Sequence, residues 1–343
     1  MQKTILYFQG ARCEADQKKL AGLSKFIASQ HWRLSIVIAP NNHRKLREII
    51  DFWKPDGIVA NMANGNADIG KAPIVIMGTP PKNYHGRALF VAHDSESSTA
   101  LAAKELISLG YPNFAFANAT NGEEWSPMRQ RAFENILRLH SKNCAIFNPS
   151  KHDERDAITL QMSLRKWVSL LPKPCALYAA NDCIGQAILN AAADIGIKVP
   201  KDLCVCAVDN DEQICRNTIP PMTSVEPDYF RGGLLTGVLF KEIFENPRVR
   251  QTTRTRPSTM PSNSSMRTST RALTFVMSSE SSPARGERLK SDLGNLLGTP
   301  SWRRSSQHDW SSPCRSSGDR GYLLRQSHHY PAGNPTASFA STF

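Results

Sequence analysis

No run in this sequence approaches the roughly 20 consecutive apolar residues that a membrane-spanning helix needs, so a helical membrane protein is excluded. The chain also lacks the basic start, apolar stretch and small-residue cleavage site of a secretory signal. It enters an apolar strand almost at once, at Ile5, Leu6, Tyr7 and Phe8, and the expected location is cytoplasmic, without membrane contact. There is no C-x-x-C, and no Cys/His set has zinc spacing. The eight cysteines, among them Cys204 and Cys206 on one strand face, are therefore expected as free thiols packed like small hydrophobes. Glycine-rich phosphate loops, H-E-x-x-H and G-x-S-x-G are all missing. A binding protein without cofactor or metal is expected rather than an enzyme. The nine histidines form no pattern.

The charge is unevenly spread. Net charge is +12, yet residues 1–250 carry 30 Lys/Arg against 25 Asp/Glu, and residues 251–343 carry 12 against 5. The basic excess thus sits largely in the last quarter of the chain, and the net charge alone does not indicate a nucleic-acid-binding fold.

Up to about residue 248 short apolar runs alternate with helix-period segments. Strands are expected at Ile5–Phe8, Leu34–Ile38, Gly57–Ala60, Ile74–Met77, Ala88–Val91, Phe114–Ala117, Cys144–Phe147, Ala176–Ala180 and Leu203–Val208. Helices are expected at Gln17–Gln30, Arg44–Trp53, Ser98–Leu109, Pro127–His140, Ala157–Leu171, Ile184–Ile195 and Phe230–Phe244. Gly110 and Gly196 stand where left-handed helix caps belong, and Asp182 can cap the helix after Ala176–Ala180. Near-continuous apolar strands alternating with helices mean an α/β protein with parallel sheets covered on both faces. Nine strands are many for one small sheet, and two sheets joined by a hinge accommodate them.

Beyond about residue 250 the periodicity stops, and 30 of the last 93 residues are Ser or Thr. Two readings stay open for residues 251–343: an irregular, disordered basic tail, or a stretch translated out of frame. A disordered basic tail could hold nucleic acid non-specifically through phosphate contacts.

Three stretches carry a resemblance: VAHDSESSTALAAKELISLGYPNFAFA, EWSPMRQRAFENIL, and LYAANDCIGQAILNAAADIGIKVPKDLCVCAVDNDEQICRNTIPPMTSVEPDYFRGG. In order and spacing they resemble the sugar-sensing domain of lactose-repressor-type (LacI/GalR) regulators, the Asn-Asp pair, the VP.D segment and PP.TSV above all. Ala207 departs from the family, which usually has Gly nearby. The look is closest to the xylose-operon-regulator type, in which the sensor comes first and an AraC-type DNA-binding domain follows; no such domain is legible in residues 251–343. The resemblance implies two Rossmann-like lobes of periplasmic-binding-protein type. The N-terminal lobe is expected over 1–111 with a return through 224–246, and the other over 112–221. It further implies a small-molecule effector, most simply a monosaccharide, a homodimer, and DNA as the parent family's partner, the last in doubt for this chain. A transport solute-binding protein shares the same fold and is the alternative.

Ligands of open α/β sheets sit beyond the carboxyl ends of strands. That singles out Asp94, Trp125, Arg129, Asn181, Asp182 and Asp209. By match to the family's motif, Arg129, Asn181 and Asp209 are the first candidates for direct contact. Carboxylates, an amide and a guanidinium suit vicinal hydroxyls, and the Trp125 ring suits the apolar face of a pyranose. Each has a structural reading beside it. Asp94 and Asp182 could be helix caps, Trp125 could pack beneath its helix, and Arg129 could be a surface charge. Tyr7 and Phe8 read as core, and the acidic run Asp209–Glu212 could suggest a metal site.

Overall fold

The computed structural model describes residues 2–10, 13–40, 42–60, 71–80, 88–120 and 124–246. The readings made of residues 251–343 lie outside the described residues.

The first sheet is built from β1 (Thr4–Gln9), β2 (Arg33–Ile38), β3 (Gly57–Ala60), β4 (Ile74–Ile76) and β5 (Leu89–Phe90), in the spatial order β2-β1-β3-β4-β5 with every pair parallel. The second is built from β6 (Asn113–Ala117), β7 (Cys144–Phe147), β8 (Cys175–Ala179), β9 (Leu203–Val208) and β10 (Thr223–Val225), in the order β10-β9-β8-β6-β7, again all parallel. Counted from its own first strand, each sheet has the same 2-1-3-4-5 order, so each reverses direction beside its first strand. That reversal is where open α/β sheets bind ligands.

Alternation along β1 shows why the first sheet needs helices on both faces. Ile5 and Tyr7 pack with Leu23 and Ile27 of α1 (Glu14–Ser29) and Leu235, Leu239 and Phe240 of α8 (Tyr229–Glu245). Leu6 and Phe8 turn the other way, onto Ile50 of α2 (His43–Trp53). Tyr7 and Phe8 are core residues, as read from the sequence. The second sheet has one continuous core. It takes in α3 (Ser95–Ser108), α4 (Trp125–Leu139), α5 (Ala157–Leu170) and α6 (Asp182–Asp194).

Three details correct the sequence reading. Ala102, Ala103 and Leu106 of α3 belong to the second sheet's core. The chain therefore crosses from the first sheet between β5 and α3, well before residue 111. The return crossing follows β10, a short strand not expected from the sequence, because Ser224 still pairs with Ala207 in the second sheet. The short helix α7 (Glu212–Cys215) was also not expected.

Helix starts are strongly encoded. Asn42, Asp94, Asp156, Asn181, Asp211 and Asp228 each accept a hydrogen bond from a backbone N–H of the turn they open. The cap of α6 is thus Asn181, not Asp182. Gly110 and Gly196 adopt φ of 74° and 73°, the left-handed conformation expected of them.

Candidate functional site

The loop after β6 fixes the start of α4. The Ser126 hydroxyl donates to Asn118 Oδ1 (2.8 Å) and accepts from the Ala119 N–H (3.0 Å), while Asn118 Nδ2 donates to Gln130 Oε1 (2.7 Å). This network holds the first turns of α4, whose Trp125 and Arg129 are four residues apart and share a face. The Arg129 guanidinium carbon lies 4.8 Å from the centre of the Trp125 ring. Arg129 is no surface charge, since its side chain is 4% exposed. One terminal nitrogen donates to the Ala180 carbonyl, just past the end of β8, and the other lies 3.9 Å from Asp209 Oδ1. Arg129 Nε is buried and makes no hydrogen bond.

Asp209 ends β9. Its N–H donates to the Val225 carbonyl (3.0 Å), and Oδ1 accepts from the Tyr229 hydroxyl (2.5 Å). Tyr229 opens α8, which packs on α1 beside the first sheet, so this hydrogen bond joins elements of both sheets. Burial pushes the Asp209 carboxyl above the usual carboxylate range, against the pull of Arg129 and Tyr229. The same burial, with Asp209 next to it, raises the Tyr229 phenol well above its ordinary value. Asp209 and Asn210 have φ of 121° and 49°. For residues with a side chain this backbone costs about 1–3 kcal/mol each and persists only where the surroundings over-determine it.

Five consecutive amides show how that is done here. After Asp209 N–H, Asn210 N–H donates to Ser224 Oγ (3.0 Å) and Asp211 N–H to Asp182 Oδ2 (2.7 Å). Glu212 N–H donates to Glu14 Oε2 (2.7 Å) and Gln213 N–H to Asp211 Oδ1 (3.1 Å). Glu14 belongs to α1, and Lys18 of the same helix bridges Glu14 and Glu226 at 2.9 Å each. The loop that carries Asp209 is therefore tied to both halves of the molecule.

The sequence candidates fall into two groups. Arg129, Asp209 and Trp125 come together as described. Asn181, Asp182 and Asp94 are engaged with the protein itself. Asn181 Oδ1 accepts from the Ile184 N–H (3.1 Å), and Asp94 accepts from the Ser97 N–H (3.0 Å) and hydroxyl (2.7 Å). Asp182 is 1% exposed, and its two carboxylate oxygens accept from the Ser224 hydroxyl (2.6 Å) and the Asp211 N–H. Among the described residues no group of three or more His, Cys, Asp and Glu is placed to hold a metal ion.

Sequence reasoning missed Tyr229, Lys19 and His93. Lys19 Nζ sits 5.3 Å over the Tyr229 ring, and the His93 ring is 5.9 Å from it. His93 Nε2 is 2.7 Å from Ser98 Oγ. Burial first, then the charges of Arg129 and Lys19, holds the His93 imidazole down to about 3, so it is neutral at pH 7. The available signal was Tyr229 at the start of a helix that follows PP.TSV.

Burial pushes the Asp182 carboxyl up to about 7. A carboxyl raised in the folded state stabilises fully below its unfolded pKa, and that contribution is lost as pH rises through the folded value. Wild-type stability relative to Asp182→Asn is therefore expected to fall between about pH 5 and pH 8 by on the order of 2 kcal/mol. Urea denaturation of both proteins at the two pH values checks this; a constant difference would contradict it.

Comparison with known proteins bears on the fold. Residues 103–265 match the family model of the periplasmic binding protein-like domain. The chain is similar to the xylose operon regulatory protein of Escherichia coli (strain K12), 23% identical over 211 residues, covering 57% of this chain and 52% of the relative. It is also similar to the HTH-type transcriptional repressor PurR of Histophilus somni (strain 129Pt), 26% identical over 237 residues, covering 63% of this chain and 67% of the relative. Among solved structures, that of the xylose-binding transcription activator xylR superposes with a TM-score of 0.59 at 20% identity, covering 71% of this chain and 64% of the other. The fold is the two-sheet, periplasmic-binding-protein-like α/β fold that the sequence implied. The chain spans about half the length of the xylose-operon relative.

Proposed function

We propose that this chain is the effector-sensing part of a transcriptional regulator, and that it closes its two lobes on a small polyol, a monosaccharide by preference. The observation that carries the reading is Arg129. A guanidinium 4% exposed, with a buried Nε that makes no hydrogen bond, stands between the Trp125 ring and the Asp209 carboxylate. A buried N–H without an acceptor costs about 1–3 kcal/mol, and a sugar hydroxyl would accept from it. Asp209, with a side chain 24% exposed, would accept from the same ligand, and the indole would cover an apolar ring face. Asn181 and Asp94 would complete the site only by exchanging their capping bonds for ligand.

The matched relatives are regulators, which favours sensing over transport and binding over catalysis. A cytoplasmic homodimer acting on DNA is the arrangement this reading carries for an intact regulator. Closure would be selected by ligand because only differential affinity shifts a two-state equilibrium. The contacts of α1 with the Asp209 loop and with Glu226 would be made in the closed form.

Titration calorimetry of the chain with D-xylose, D-ribose, L-arabinose, D-glucose and D-galactose tests the proposal. At least one of these should bind, and small-angle scattering should show a more compact particle with it. A panel with no binder would overturn the reading.

A further inference from the structure

We propose that Asp182 is a positioning residue: its buried carboxylate clamps the Asp209–Asp211 loop in left-handed backbone and so sets the Asp209 carboxylate against Arg129 and Tyr229. This deepens the reading of the Asp209 site and rests on it for its functional consequence. The structural part stands by itself.

Asp182 reaches the loop twice. Oδ2 accepts directly from the Asp211 N–H, and Oδ1 accepts from the Ser224 hydroxyl, whose oxygen accepts from the Asn210 N–H. Two successive amides of the loop thus end, directly or through one hydroxyl, on a single carboxylate. These amides follow the two residues of positive φ, Asp209 and Asn210. Without the clamp, residues with a Cβ would relax toward negative φ, and rotation about Asp209 would swing its side chain away from the Tyr229 hydroxyl. Ser224 lies on β10, the last strand before the chain returns toward α8. The clamp therefore fastens the ligand-facing loop to the segment about which the two lobes would turn.

The carboxylate offers acceptors to both donors, and an asparagine retains one of them. Its oxygen can take the Asp211 N–H while its amide donates to Ser224 Oγ, which has a lone pair to spare beside the one used by Asn210. Asp182→Asn should therefore keep the clamp and Asp182→Ala should lose it.

The experiment is amide hydrogen exchange on the full chain, wild type against Asp182→Ala, Asp182→Asn and Ser224→Ala, with the β8 amides as internal control. In Asp182→Ala, Asn210 and Asp211 should exchange at least tenfold faster while the β8 amides keep wild-type rates. Asp182→Asn should return both to within about threefold of wild type. Ser224→Ala should free Asn210 more than Asp211, and it decides the matter if Asp182→Ala yields no folded protein. Unchanged exchange at both loop amides, or equal acceleration of loop and β8, would overturn the proposal. D-xylose calorimetry on the same proteins gives the functional arm: affinity lost in Asp182→Ala and restored in Asp182→Asn. If the wild type binds no sugar, the sensing reading fails while the exchange result still decides the clamp.

Discussion

Asp209→Asn is expected to weaken binding of whichever sugar the wild type binds by about a hundredfold or more, while the thermal midpoint stays close to wild type. The carboxylate can accept from two hydroxyls of a bound sugar, and hydrogen bonds to a charged group contribute about 1.5–3 kcal/mol each. The amide keeps one acceptor and presents a donor where the second hydroxyl's proton would point. A hundredfold loss corresponds to about 2.7 kcal/mol, so the loss of one such bond with a misplaced donor accounts for it. Stability should respond differently. The Asn oxygen can still accept from the Tyr229 hydroxyl, now 2.5 Å from Asp209 Oδ1. The Arg129–Asp209 approach, at 3.9 Å, is an ion pair at the edge of contact, while Arg129 keeps its bond to the Ala180 carbonyl. Removing a carboxyl that burial already disfavours offsets part of the lost attraction. Calorimetry and a thermal melt on the same preparation check both halves. Full affinity in Asp209→Asn would remove this carboxylate from the site.

The tertiary partners of these residues, rather than their types, were hidden from the sequence. The strands were legible because a sheet covered on both faces demands apolar residues at nearly every position, as in β8, where all five residues are buried. α3 was legible as a helix but was assigned to the wrong lobe. Its period shows that Ala102, Ala103 and Leu106 form an apolar stripe, and either sheet could have accepted it. The crossing between β5 and α3 is made by only a few residues, Val91–Asp94, with no Gly or Pro to mark it. β10 was missed because three residues are too few to show alternation. Asp182 shows the same limit at the site. Its place after a strand suggested a ligand contact or a cap, but the cap is Asn181. The donors that claim Asp182 come from residues 29 and 42 positions further along the chain. Tyr229 stands at the start of an apolar helix, where a tyrosine is ordinarily read as part of the packed face. Only the return of α8 against α1 turns its hydroxyl toward Asp209.

That return depends on glycines, and Gly233→Ala is expected to be strongly destabilising. α1 and α8 approach so closely that backbone meets backbone. A Cβ on Gly233 would lie far inside van der Waals contact distance of the Lys19 carbonyl oxygen and 2.6 Å from the Leu23 nitrogen, and one on Gly22 would meet the Phe230 carbonyl in the same way. Neither obstacle can rotate aside as a side chain would, so the helices must separate. Overpacking a core with one extra carbon costs about 1–3 kcal/mol where side chains can adjust; against backbone a cost of about 3 kcal/mol or more is expected. The gain in helix propensity over glycine, about 1 kcal/mol, does not offset it. Gly237, one turn further along α8, meets the Phe26 side chain from its Cβ to the ring instead of backbone, so Gly237→Ala should cost less than Gly233→Ala. The functional consequence follows from position. Gly233 is one turn from Tyr229, and a shift of α8 away from α1 carries the Tyr229 hydroxyl off Asp209. Urea denaturation should show the larger loss of stability for Gly233→Ala, and any protein that remains folded should bind sugar more weakly than Gly237→Ala. Equal stability of Gly233→Ala and wild type would mean that the two helices are not held at this separation in solution.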